Sequence, residues 1–200
     1  MTKRAATTHP VHDLIANRWS PCGFATRAVE PAVLQSLFEA ARWAPSSYNE
    51  QPWRYLVATK DDGAEFEKLA ACLVDANRAW ASAAPVLAIG VASMQFARNA
   101  KPNAAAFHDL GQAAAYLTFE ATARGLYVHQ MIGILPDKVR ELYRVPEGFQ
   151  PVTGLAIGYA ADPSTMPEKL RERDHSPRQR KPLAEFVFGG EWGKPSAAVK

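Results

Sequence analysis

Apolar residues recur along the chain at two alternating periods, one suited to helices and one to short strands. In "PAVLQSLFEAARW", Val33, Leu34, Leu37, Phe38 and Ala41 fall at helical spacing behind Pro31, a residue suited to a first turn. A helix with one buried face is expected from Pro31 to Trp43. "WRYLVAT" alternates poorly and is rich in β-formers, the pattern of a buried strand. "DDGAEFEKLAACL" returns to helical spacing, and "APVLAIGVA" is a second apolar run of strand length. The longest helix is expected in "AAFHDLGQAAAYLTFEATARG", where Leu110, Ala113, Ala114, Leu117 and Ala121 form an apolar stripe and Gly125 supplies a stop. "LYVHQMIG" reads as strand or strand edge, "PDKVRELY" as a short helix and "PVTGLAIGYA" as a third strong strand. This alternation gives an α/β or α+β sheet covered by helices. Beyond Ala161 Pro, Arg, Glu and Asp dominate until "PLAEFVFGGEW", so a long structureless tail is expected there.

Composition narrows the class. With 200 residues, 48% of them hydrophobic and 22% charged, the chain can bury a core as a single soluble domain. A net charge of +3 is too small to mark a nucleic-acid protein, although a local anion site is compatible with it. Cys22 and Cys72 are far apart and lack CxxC spacing, which suits two reduced thiols in a cytoplasmic protein. "MTKRAATTHP" has no apolar core of a secretory signal, and "AAPVLAIGVASM" is shorter than the ~20 residues that span a bilayer. No membrane or nucleic-acid partner is therefore expected.

Several chemical devices are missing from the sequence: GxGxxG after a strand, GxxxxGK[ST], HExxH and GxSxG. No metal site is expected. What remains is a set of polar clusters suited to one flat, anionic ligand. Arg18 and Ser20 in "NRWSPCGF" offer a cation and a hydroxyl; Arg178 and Arg180 in "SPRQRKPL" offer two guanidiniums; such groups suit a phosphate. Asn49 and Asn77 can each donate and accept at once, as the edge of a uracil-like ring requires. "APSSYNEQPW" crowds Ser46, Ser47, Asn49 and Gln51 between stiff prolines, more polarity than a plain connector needs.

These segments, with "DANRAWASAAPVLAI", "HDLGQAAAYLTFEATARGLYVHQMIG", "ELYRVPEGFQPVTGLAIGYA" and "PRQRKPLAEFVF", resemble the FMN-dependent nitroreductase family in order and spacing over roughly residues 12 to 190. The resemblance implies one α+β domain over 1–200, with a mainly antiparallel central sheet, an intertwined homodimer, and a C-terminal tail wrapping the partner. It implies FMN in the dimer interface. Arg18, Trp19 and Ser20 would lie at its phosphate and ribityl end, and Arg178 and Arg180 on the phosphate. Asn77 would meet the pyrimidine edge, and Met131, Ile132 and Gly133 would lie near N5. Pro45, Ser46, Ser47 and Asn49 would contact the ring of the flavin held by the other subunit, with Gln51 supporting that loop. Cys22 stands in the flavin shell where the family usually has a basic residue.

The resemblance further implies ping-pong hydride transfer from NADH or NADPH through FMN to a small acceptor such as a nitroaromatic or quinone. Alternatives are a flavin-binding protein without efficient turnover, or a member specialised for alkene reduction or reductive dehalogenation. No side chain stands out as a general acid, so no catalytic residue is assigned. Trp43, Phe107, His108 and His129 are candidate neighbours of the substrate face, although His108 and His129 read more readily as locally hydrogen-bonded residues, and Trp43 and Trp80 as packing residues.

Overall fold

The computed structural model describes residues 3–199. Four strands, β1 (Trp53–Thr59), β2 (Val86–Ser93), β3 (Tyr127–Met131) and β4 (Phe149–Gly158), form one sheet in the order β1-β2-β4-β3, antiparallel at every pairing. Helices α1 (Asp13–Asn17), α2 (Pro31–Arg42), α3 (Gly63–Ala70), α4 (Asp75–Ala81), α5 (Ala106–Ala123), α6 (Pro136–Tyr143) and α7 (Glu168–His175) complete an α+β fold.

β2 is central because its unbroken apolar run can be covered on both faces, and every residue from Val86 to Ala92 is buried. One face packs under α2 and α5 through Leu37, Ala41, Leu110, Ala114 and Leu117. The other packs under α3, α4 and α6 through Phe66, Leu69, Trp80 and Val139. Burying each large apolar side chain contributes ~1.5–3 kcal/mol. The alanine stripe of α5 is fully buried, and the helix ends where Gly125 takes a φ of +73°.

β1 differs from the buried strand expected of "WRYLVAT". It is an edge strand with Arg54 and Val57 exposed, because only β2 pairs with it. β4 tolerates Pro151 because that residue lies beyond the end of β3 and beside the register shift opposite Gly90 and Val91.

The chain after Ala161 is more ordered than its composition suggests. α7 follows Pro167, which acts as its N-cap, with Glu168 in its first turn and Arg173 and His175 in its last. Beyond it, the Ser196 N–H donates to the Val187 carbonyl (2.9 Å), and Phe188 packs on Trp192 at 5.1 Å. Phe186 in this segment is exposed.

Candidate functional site

β3 is the other edge of the sheet, and the segment from Arg18 to Phe24 runs alongside it. The His129 ring on β3 lies 2.8 Å through Nδ1 from the Pro21 carbonyl. A carbonyl only accepts, so Nδ1 carries the proton and donates. The ring also packs on Trp80 at 4.4 Å. Burial, the largest cause, lowers its pKa, aided by Arg173 and Arg18 and opposed by Pro21 and Asp174.

Arg18, Arg178 and Arg180 converge although they lie at opposite ends of the chain. Burial lowers the Arg18 pKa first, and the guanidiniums of Arg178 and Arg180 lower it further. Burial and then Arg180 do the same to Arg178. None of the three is paired with a carboxylate among the described residues. Arg18 donates to Ser20 Oγ (3.1 Å), and Arg178 donates to the carbonyls of Lys3 (2.8 Å) and Ala16 (2.9 Å). The structure therefore gathers three cations and a hydroxyl into a site that lacks its own anion.

Trp19 and Cys22, between and beside these groups, turn inward. Trp19 is buried against Tyr127 at 5.4 Å, and its indole N–H has no partner among the described residues. Cys22 is 1% exposed in the core, and burial pushes its thiol up to about 11. The Cys22 side chain therefore brings no positive charge to this position.

At the far end of β3, Met131 is buried and its carbonyl accepts from Thr153 Oγ1 (3.1 Å). Ile132 is 87% exposed, unusual for so large an apolar side chain in a rigid turn. The Gly133 carbonyl accepts from Asn77 Nδ2 (3.1 Å) and the Val74 N–H (3.2 Å). A Cβ at Gly133 would stand 2.3 Å from Asn77 Nδ2, so only glycine permits this approach. Asn77 Oδ1 makes no hydrogen bond among the described residues and can serve a ligand.

The loop after α2 is a separate device. Tyr48, Asn49 and Gln51 take left-handed φ values of 55°, 54° and 53°, a conformation costing non-glycine residues ~1–2 kcal/mol each. Its hydrogen bonds offset that cost. Ser46 Oγ accepts from the Gln51 N–H (3.0 Å), Gln51 Nε2 donates to Asn49 O (3.0 Å) and Oδ1 (3.1 Å), and the Ser47 N–H donates to Asp109 Oδ2 (3.0 Å). Pro45 lies exposed at its entrance. No hydrogen bond or ion pair among the described residues joins this loop to the arginines or to Asn77. Within one chain, the structure brings together the arginine cluster with Ser20, and Asn77 with Gly133, and bonds the serine loop to Asp109 instead.

Trp43, a candidate for the substrate face that also read as a packing residue, is 72% exposed, so it does not pack in this chain's core, and it donates through Nε1 to Glu39 (2.8 Å). Trp80 is buried. Phe107 and His108 are exposed on α5, where His108 Nε2 pairs with Gln112 (2.7 Å). Sequence reasoning missed two buried carboxylates. Asp109 holds the serine loop, and Asp174 Oδ1 and Oδ2 accept from the N–H groups of Cys22 (2.9 and 3.0 Å) and Gly23 (3.0 Å). Asp174 had a legible signal, since an acid in the last turn of a helix opposes its dipole.

The described residues thus form an antiparallel α+β sheet, with an arginine cluster and the Asn77–Gly133 pair supplied by segments outside its strands. Residues 15–159 match the Nitroreductase family. The chain belongs to that family. It superposes on the crystal structure of an oxidoreductase containing FMN with a TM-score of 0.87, at 34% identity, over 94% of this chain and 96% of that one. A nitroreductase family protein from Clostridium difficile 630 shares the fold at TM-score 0.68 and 24% identity, over 89% of this chain and 96% of that one. The nitrobenzene nitroreductase of Ectopseudomonas oleovorans is 38% identical over 69 residues, 34% of this chain and 29% of that protein. A 15.4 kDa Mycolicibacterium smegmatis protein is 40% identical over 87 residues, 44% of this chain and 58% of that protein. The chain thus aligns with between about three and six tenths of these two curated relatives. No helix among the described residues is long and apolar enough to cross a membrane.

Proposed function

We propose that the protein is an FMN-dependent NAD(P)H oxidoreductase acting as a homodimer on a small acceptor such as a nitroaromatic or quinone. The observation that carries this reading is the convergence of Arg18, Arg178 and Arg180 without a carboxylate partner among the described residues. Like charges held together and partly desolvated need a counter-ion, and a phosphate monoester supplies one. The residues present fit FMN: three guanidiniums and Ser20 for the phosphate end, and a carboxamide at Asn77 fixed at one nitrogen with its oxygen free.

When bound, FMN supplies the ring that takes a hydride from NADH or NADPH and passes two electrons, with a proton, to the acceptor. The chain's own residues bind and orient. Arg18, Arg178, Arg180 and the Ser20 hydroxyl would hold the phosphate, and Arg178 also fastens the segments that carry them through the Lys3 and Ala16 carbonyls. Asn77, aimed by Gly133, offers donor and acceptor to the pyrimidine edge. The Gly133 N–H donates no hydrogen bond among the described residues, so the turn after β3 has a donor to offer the ring. No side chain is assigned as proton donor, and position 22 contributes no cation.

Exposed apolar side chains support the dimer. Ile132, Trp43, Tyr48 at 75% and Trp192 at 91% exposure are large side chains that a second copy would take out of water. The serine loop makes no hydrogen bond to the arginines among the described residues and would face the flavin of a second copy. The test is steady-state oxidation of NADH and NADPH by FMN-reconstituted protein, with and without a nitroaromatic or quinone, alongside light scattering. Acceptor-dependent turnover by a particle of twice the chain mass is expected. FMN bound without turnover would leave a flavin-binding protein, and a monomer saturated with FMN would remove the shared site.

A further inference from the structure

We infer that Asp174 is the positioning residue of the anion site: its buried carboxylate pins the Pro21–Gly23 turn to the end of α7 and so sets Arg18 against Arg178 and Arg180. The inference rests on the arginine cluster read above as the phosphate site.

Asp174 is 4% exposed, and both its carboxylate oxygens are engaged by backbone N–H groups, Oδ1 by Cys22 and Oδ2 by Cys22 and Gly23. A buried carboxylate costs several kcal/mol unless it is hydrogen-bonded, and an acid in the last turn also opposes the helix dipole. Helix formation does not call for this residue; the turn it grips does. The approach is close on every side. A Cβ at Gly23 would stand 2.3 Å from Met166 Cε, Phe24 bridges Ala160, and the Ala161 N–H donates to the Gly23 carbonyl (3.1 Å).

The spacing explains what the pin achieves. Arg18 stands four residues before Cys22, and Arg178 four residues after Asp174. Four residues of unpinned chain reach up to ~14 Å, so without the pin only the Arg178 bonds to the Lys3 and Ala16 carbonyls hold the guanidiniums against their own repulsion. A second tie acts in the same sense: Lys3 Nζ donates to the Asp174 carbonyl (2.5 Å), and Arg178 to the Lys3 carbonyl (2.8 Å). Asp174 reaches the ligand only through other residues.

The charge of Asp174 and its geometry predict opposite signs, which makes the test sharp. As a nearby negative charge, it disfavours an anion, so its neutralisation would tighten binding. As a pin, its loss weakens binding. Folded Asp174→Asn is compared with wild type by titration with FMN, with riboflavin, which lacks the phosphate, and with inorganic phosphate read by thermal melting. The FMN dissociation constant is expected to rise about tenfold or more, that of riboflavin to stay within about twofold, and the stabilisation by phosphate to disappear. Unchanged or tighter FMN binding, or equal loss of FMN and riboflavin, overturns the inference. Should the variant fail to fold, amide exchange in wild type decides. By reciprocity of linkage, saturating phosphate must slow exchange at Cys22 and Gly23, and unchanged exchange overturns the inference. Wild type that responds to phosphate but binds neither flavin refutes the flavin reading while the phosphate arm still judges Asp174.

Discussion

Gly133→Ala strikes the site through one methyl group. Gly133 has no left-handed φ, so the backbone accepts alanine and the cost comes from contact alone. The new Cβ would stand 2.3 Å from Asn77 Nδ2 and 2.9 Å from Val74 Cγ2. The first is about 1.1 Å short of the 3.4 Å at which ordinary contact begins. Asn77 must swing away and give up its 3.1 Å hydrogen bond to the Gly133 carbonyl. Overpacking of this kind costs ~1–3 kcal/mol and the lost hydrogen bond ~1 kcal/mol, a total of about 2–4 kcal/mol. For a chain of this size that lowers the melting temperature by about 4 to 16 °C. With Asn77 displaced, FMN affinity falls about fivefold, one hydrogen bond's worth. Thermal melting of Gly133→Ala, Asn77→Ala and the double variant, with FMN titration of each, forms a double-mutant cycle. Removing the amide first relieves the clash, so a coupling of about 1 kcal/mol or more is expected between the sites. A Gly133→Ala protein melting within about 1 °C of wild type and uncoupled to Asn77 would refute the reasoning.

Arg180→Ala removes a charge-assisted phosphate contact and is expected to weaken FMN ~10- to 100-fold, with little change in turnover at saturating FMN; unaltered affinity would show a solvated charge run. His129 has a folded pKa below its ordinary 6.5, so the unfolded chain binds the extra proton first. The stability it contributes is present above about pH 6.5 and is lost as pH falls toward the folded pKa, and His129→Gln should flatten melting temperature against pH in that window. Arg144 caps α6 at a left-handed φ of 51°, so Arg144→Gly is expected to stabilise by ~0.5–1 kcal/mol, seen as a rise of about 1 to 4 °C in melting temperature.

Long periodic elements were legible in the sequence because burial imposes their period. α5 shows its stripe from Leu110 to Ala121, and β2 its unbroken apolar run. α4 escaped because "DANRAWA" holds a single large apolar side chain, Trp80, and one such residue shows no period. α7 escaped because "EKLRERDH" buries only Asp174 and has no apolar face, and α1 is a single five-residue turn. Arg18, Ser20, Arg178 and Arg180 could be singled out by residue type, but their meeting depends on Asp174 reaching across about 150 residues, a contact with no local pattern. The edge position of β1 was likewise hidden, since strand order is a tertiary choice. The inward turn of Cys22 was hidden for the same reason, because the period of an irregular segment says nothing of which way a side chain points.

The claim that this constellation is an FMN phosphate site is tested most directly by titrating apoprotein with FMN while following flavin fluorescence. The account predicts saturable quenching at micromolar concentration or below, with one FMN bound per chain. Absence of quenching at micromolar FMN would contradict it.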